Sequence, residues 1–145
     1  MPLQNIVEKK MITCAPEFDV RRVAKLMAVE NVGAVLVVEN GIPVGMVTDR
    51  DLVLRCVSDD HDCSNVLVRD VMTPEVVKVR GDEGIQNVID VMKEKEVRRV
   101  VVVDDRDTPV GMVSFGDLVG LLASELNALA QATSLEKVES IAKVA

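Results

Sequence analysis

The sequence predicts a mixed α/β fold: two pseudo-symmetric β-α-β-β-α repeats packed sheet to sheet, followed by a C-terminal helical tail. Three observations lead there. Val7 and Met72, Val20 and Ile85, Met27 and Met92, and Val32 and Val97 are spaced 65 residues apart, while Gly45 and Gly111, Thr48 and Ser114, and Asp51 and Asp117 are spaced 66 apart. The offset changes only across the turns ENGIP and DDRDTP, where an insertion is tolerated and a slip in strand register is not. Within each half, a helical apolar period gives way to a β-branched run and then to a turn of the same composition, GMVTDRD and GMVSFGD. Half of 145 residues buries such a layer poorly alone, so the two halves are expected to share an apolar face.

Taken in order, Leu3–Val7 is an apolar lead-in of about one helical turn, and Met11–Cys14 a brief strand. Pro16 bars a helix there, and Asp19 caps the one that follows. Val20, Val23, Ala24 and Met27 share one helical stripe, which Asn31 and Gly33 close. Ala34–Val38 is a buried strand, Asn40-Gly41 a tight hairpin turn, and Pro43–Val47 the returning strand. Thr48 opens a second helix that runs to about Val57, and SDDHDCSN is a polar connector. The order then repeats. Val71–Pro74 closes a helical lead-in and Val76–Val79 is a strand. Ile85, Val88, Val91 and Met92 mark a helix, Val97–Val103 contains a strand that Val110–Val113 returns, and Asp117 onward is helix. The expected boundaries are 1–62 and 63–124 for the repeats and 125–145 for the tail. In the tail, Leu118, Leu122, Leu126 and Leu129 recur at helical spacing, and Thr133–Glu136 fits a capping box for a further short helix carrying Leu135, Val138 and Ile141. That apolar face either covers its own domain or packs across a dimer.

Net charge is -7 and the two aromatics are Phe18 and Phe115. Such a chain lacks the basic surface and the stacking platforms of a nucleic-acid binder. Apolar runs are strand-sized, far short of the ~20 residues of a membrane span, and MPLQNIVEKK has no secretory core. Cys14, Cys56 and Cys63 form no CxxC pair, which fits a reducing, cytoplasmic setting. Cys56, His61 and Cys63 invite a metal reading. Cys14 would have to join them, so a polar connector with a partly buried thiol is preferred and no metal is expected. His61 is the lone histidine, and no nucleophile–base pattern accompanies it; no enzyme activity is expected.

The repeated turn has two readings. Thr48 with Asp51, and Ser114 with Asp117, have the spacing of a capping box, which is purely local chemistry. Alternatively, Gly45 and Gly111 leave the backbone open to a flat ligand. The helix N-terminus and its hydroxyl then suit a phosphate, and the carboxylate accepts hydrogen bonds from a ribose diol. A nucleoside phosphate fits that set better than an arbitrary anion.

With these motifs in view, the chain resembles a tandem pair of cystathionine-beta-synthase (CBS) domains, a Bateman module, over about residues 5–124. GMVTDRD and GMVSFGD match the family's Gly-x-x-Thr/Ser-x-x-Asp motif, and VMTPEVVKV resembles the opening of a repeat. VAKLMAVENVGAVLVVE and VIDVMKEKEVRRVVVVD resemble its middle. The first repeat has Val7-Glu8 where the family opens with Met-Thr. The resemblance implies adenine-nucleotide sites in the cleft between repeats: AMP first, ADP or ATP also, S-adenosylmethionine after them. Asp51 and Asp117 would hold ribose hydroxyls, and Thr48 and Ser114 would reach phosphate beside Gly45-Met46 and Gly111-Met112. Thr13-Cys14 and Val77-Lys78 would line the base. Gly33-Ala34-Val35 and Arg98-Arg99 would form another wall. Arg50 in the first half, and Arg98 and Arg99 in the second, are candidate phosphate partners or solvated surface arginines. Phe115 either packs or shields a ligand edge. The resemblance further implies a homodimer formed through helices. With no effector domain in the sequence, the signal is expected to pass to the dimer or to another protein. The competing expectation is a ligand-free structural or interaction module.

Overall fold

The computed structural model describes Leu3, Ile6, Val7 and residues 11–133. The expected helix over Leu135, Val138 and Ile141 lies outside the described residues. Two compact units emerge, and neither is one continuous stretch of chain. One holds the residues up to Val76 from 11 onward, with Val103–Val110; the other holds Leu3, Ile6 and Val7, then Val77–Val102, then the segment from Gly111.

In the first unit, β1 (Thr13–Cys14) leads to helix α1 (Val20–Glu30). Asp19 caps α1 by accepting from the Arg22 amide at 2.8 Å, and Asn31 ends it in the left-handed region at φ 53°. Strands β2 (Ala34–Glu39) and β3 (Ile42–Thr48) are joined by Asn40-Gly41, both at positive φ, as a two-residue hairpin requires. The sheet order is β1-β2-β3-β4, with β1 parallel to β2 and the other pairs antiparallel. Strand β4 is only Thr73–Pro74. It follows the short helix α3 (Val68–Val71), pairs Gly45 with Pro74 and Met46 with Thr73, and gives this sheet a fourth strand where three were expected. Val20, Val23 and Met27 of α1 pack on Val35, Val37 and Val47 of the sheet, while Ala24 of the same expected stripe is exposed. Val68 and Val71 join this core, so the lead-in to the second repeat completes the first unit.

Helix α2 (Asp49–Leu52) continues not as α-helix but as a π-helical turn, Val53–Val57, closed by Ser58 N–H donating to the Val53 carbonyl at 2.8 Å.

The second unit carries β5 (Lys78–Arg80), α4 (Ile85–Lys95), β6 (Arg99–Val103), β7 (Pro109–Ser114) and α5 (Phe115–Ala132), with sheet order β5-β6-β7. Val88 and Met92 of α4 and Leu118 of α5 pack on Val79, Val100, Val102 and Val113. Leu3, from the chain's first residues, is fully buried in this core. Each unit thus takes an apolar anchor from the lead-in of the other repeat. In the turn after β6, the Asp104 carboxylate accepts the Arg106 and Thr108 amides, both at 2.9 Å, and the Thr108 bond leads in holding its pKa below the usual carboxylate range.

Candidate functional site

The two repeated turns are built alike. At the end of β3, the Thr48 N–H donates to Asp51 Oδ2 at 2.9 Å, and the Asp51 N–H donates to Thr48 Oγ1 at 3.2 Å. At the end of β7, the Ser114 N–H donates to Asp117 Oδ2 at 2.7 Å and the Asp117 N–H to Ser114 Oγ at 3.1 Å. Both are complete capping boxes. The strand opposite closes each turn in the same way: the Gly33 carbonyl accepts the Asp49 N–H at 3.0 Å, and the Arg98 carbonyl accepts the Phe115 N–H at 2.7 Å. The local capping chemistry is therefore real at both motifs, and it uses one carboxylate oxygen of each aspartate.

The remaining oxygens differ. Asp51 Oδ1 faces Arg55 Nη2 at 3.7 Å; Asp117 Oδ1 has no such cation among the described residues. The hydroxyls differ too. Ser114 Oγ also lies 2.7 Å from Asp117 Oδ2 and donates its proton there, whereas Thr48 Oγ1 serves in the box as acceptor.

In the first unit, pairing of Ala34 with Thr48 and of Val35 with Val47 brings the Gly33-Ala34-Val35 segment beside Thr48 and Asp49, at the start of the motif turn. A Cβ at Gly33 would sit 3.2 Å from Asp49 Oδ2. Thr13 is exposed on β1, two registers along, opposite Leu36. Arg50 is exposed and its backbone N–H donates to Asp49 Oδ1 at 2.8 Å; Met46 is half-buried. Cys14 and Val35 are different: both side chains belong to the core under the sheet. Burial pushes the Cys14 thiol up to about 11, with Arg22 pulling weakly the other way. Gly45 also has an internal explanation. A Cβ there would collide with Met72 Sδ and lie 3.1 Å from the Thr73 carbonyl oxygen, so the space expected for a ligand is taken by the chain's own β4 crossing.

In the second unit, Arg99 opens β6, and Lys78 opens β5 directly after Val77, whose carbonyl accepts the Val101 N–H at 2.9 Å. Gly111 is buried on β7 and Met112 half-buried. Arg98 lies over the Phe115 ring, 5.3 Å from its centroid, a cation–π contact beside the motif. Phe115 itself is 50% exposed and lines an apolar groove of about 320 Å³ with Ile89, Met92, Val97, Leu118 and Leu122.

Sequence reading missed Arg55, Met72 and this groove. Arg55 carried a signal: a cation four residues after the motif carboxylate. As for metals, no group of three or more His, Cys, Asp or Glu side chains converges among the described residues. Cys56 is buried, and its thiol is pushed up to about 11 by burial and by its hydrogen bond with Cys63; His61 is exposed. Among the described residues no helix is long and apolar enough to cross a membrane.

Comparison with known proteins agrees with the duplicated architecture. The CBS domain family model matches residues 3–58 and again 68–124. The CBS domain-containing protein YhcV of Bacillus subtilis is 33% identical over 116 residues, covering 80% of this chain and 81% of that protein. The Methanopyrus kandleri protein MK0525 is 30% identical over 116 residues, 79% of this chain, but the chain spans only 59% of that protein's length. The crystal structure of the CBS domain pair of protein MJ0100, in complex with 5′-methylthioadenosine and S-adenosyl-L-methionine, superposes with a TM-score of 0.74. It is 24% identical, covering 84% of this chain and 99% of that one. With two family matches in tandem, each ending in a completed Gly-x-x-Thr/Ser-x-x-Asp turn, the chain belongs to the CBS-domain family.

Proposed function

We propose that the chain is a regulatory module, not an enzyme, that binds an adenine nucleotide, AMP first and ADP or ATP also, at its two motif turns. One observation carries this reading. Each turn holds an aspartate rigidly by one oxygen and leaves the other outside the capping box. A carboxylate so held is an oriented acceptor for a ribose diol, which donates two hydrogen bonds. The adenosine-derived ligands of the MJ0100 pair support the same class. Thr48 keeps a hydroxyl proton for a phosphate, while Ser114 has given its own to Asp117. Arg50 and Arg55 beside the first turn, and Arg98 over Phe115 at the second, are candidate cations for a phosphate, with Lys78 and Arg99 opening strands of the second unit.

A ligand that binds only the folded state must raise its melting temperature. Melts of the whole chain with AMP, ADP, ATP and S-adenosylmethionine are expected to rise with at least one of them. The closed capping boxes favour a second reading, a ligand-free interaction module; an unchanged midpoint with all four ligands would remove the nucleotide reading in its favour.

The same module acts as a homodimer in this proposal. Phe115, Leu122, Leu126 and Leu129 are exposed, the last at 61%, and continue the apolar groove along α5. An apolar stripe of that length is unusual on a monomer surface. Light scattering is expected to return twice 15.8 kDa, and Leu126→Glu to shift the protein toward the monomer. A wild type of 15.8 kDa at high concentration would contradict this. Output would pass through the dimer or a partner protein.

A further inference from the structure

The two motif aspartates are not equivalent, and the difference lies in one side chain that the motif does not include. Arg55 sits in the π-helical turn, four residues beyond Asp51. Its Nη2 is 3.7 Å from Asp51 Oδ1, and its Nη1 donates to the Val71 carbonyl at 2.8 Å and to Thr73 Oγ1 at 3.4 Å. The Val71 carbonyl ends α3, where a cation is favoured by the unpaired carbonyls of the last turn. Asp51 therefore has both oxygens engaged, one by the Thr48 amide and one by Arg55, and its side chain is only 16% exposed. The repeat offset places Leu121 at the corresponding position of the second half. Leu121 offers no cation, and Asp117 keeps Oδ1 free of one among the described residues.

We infer that Arg55 is a positioning residue that competes with ligand for Asp51, so that the two turns bind unequally: Asp117 takes a ribose first, and Asp51 only after the Arg55 contact opens. This rests on the nucleotide reading above. The competition is with a partly exposed ion pair, whose strength corresponds to about two- to five-fold in affinity.

Calorimetric titration of the whole chain with AMP tests this, with Asp51→Ala and Asp117→Ala assigning the two steps. Two unequal sites are expected, the weaker one lost in Asp51→Ala. Arg55→Leu is expected to tighten the weaker site about two- to five-fold and leave the other unchanged, and Arg55→Lys to behave as wild type. Leu121→Arg, which leaves Arg55 in place, is expected to weaken the tighter site by a similar factor. Two equal sites, or an Arg55→Leu chain whose weaker site is unchanged or weakened, would overturn the inference and leave the nucleotide reading standing. Absence of binding in every variant and in wild type would remove both.

Discussion

Asp117→Ala is expected to weaken nucleotide binding at the second turn by at least about tenfold and to cost about 1 kcal/mol of stability, two losses with separate origins. The stability loss is local. Asp117 Oδ2 receives the half-buried Ser114 amide at 2.7 Å, and removal leaves that donor without its capping partner. The affinity loss comes from the ligand. A carboxylate accepting two ribose hydroxyls makes charge-assisted bonds, each worth about 1.5–3 kcal/mol, and a factor of ten needs only 1.4 kcal/mol. Calorimetry and urea denaturation on the same variant separate the effects. A chain that loses stability but keeps its affinity would show Asp117 to be a cap alone.

Gly45→Val is expected to destabilise the first unit by about 3 kcal/mol, near the top of the range for overpacking a filled site. The space beside Gly45 already holds Met72, whose Sδ a Cβ would strike, and the Thr73 carbonyl oxygen, 3.1 Å from that Cβ. Met72 is a flexible side chain and can swing away; the Thr73 carbonyl is backbone in a strand paired to Gly45 through Pro74. Gly45→Ala is therefore expected to cost less, and Met72→Ala to rescue it only in part, because the carbonyl remains. Urea midpoints of the single and double variants measure this coupling. A Gly45→Val chain as stable as wild type would mean that β4 does not press on β3 as described.

These two residues also show how far the sequence speaks. The duplication, the hairpin at Asn40-Gly41, the caps at Asp19 and Asn31, and the strand–turn–helix units follow from local chemistry that repeats, and all are present. Each depends on residues a few positions apart. Gly45 was read as a ligand's approach route because its filler, Met72, lies in the next repeat's lead-in, and a two-residue strand such as Thr73–Pro74 carries no period to announce it. The resemblance places Cys14 along the base and Val35 in the facing wall, yet both side chains are buried in the core. A strand as short as Thr13–Cys14 does not reveal its parity, and here Cys14 turns inward. The π-helical turn escaped because apolar spacing over five residues does not distinguish it from α-helix.

The role of the motif carboxylates is tested most directly by the ribose itself. Calorimetric titration of the whole chain with AMP and with its 2′,3′-dideoxy analogue compares ligands that differ only in the diol. AMP is expected to bind at least about tenfold more tightly, as loss of two charge-assisted hydrogen bonds requires. Equal affinity for the two would contradict it, because the contacts of Asp51 and Asp117 would then be only those made within the chain.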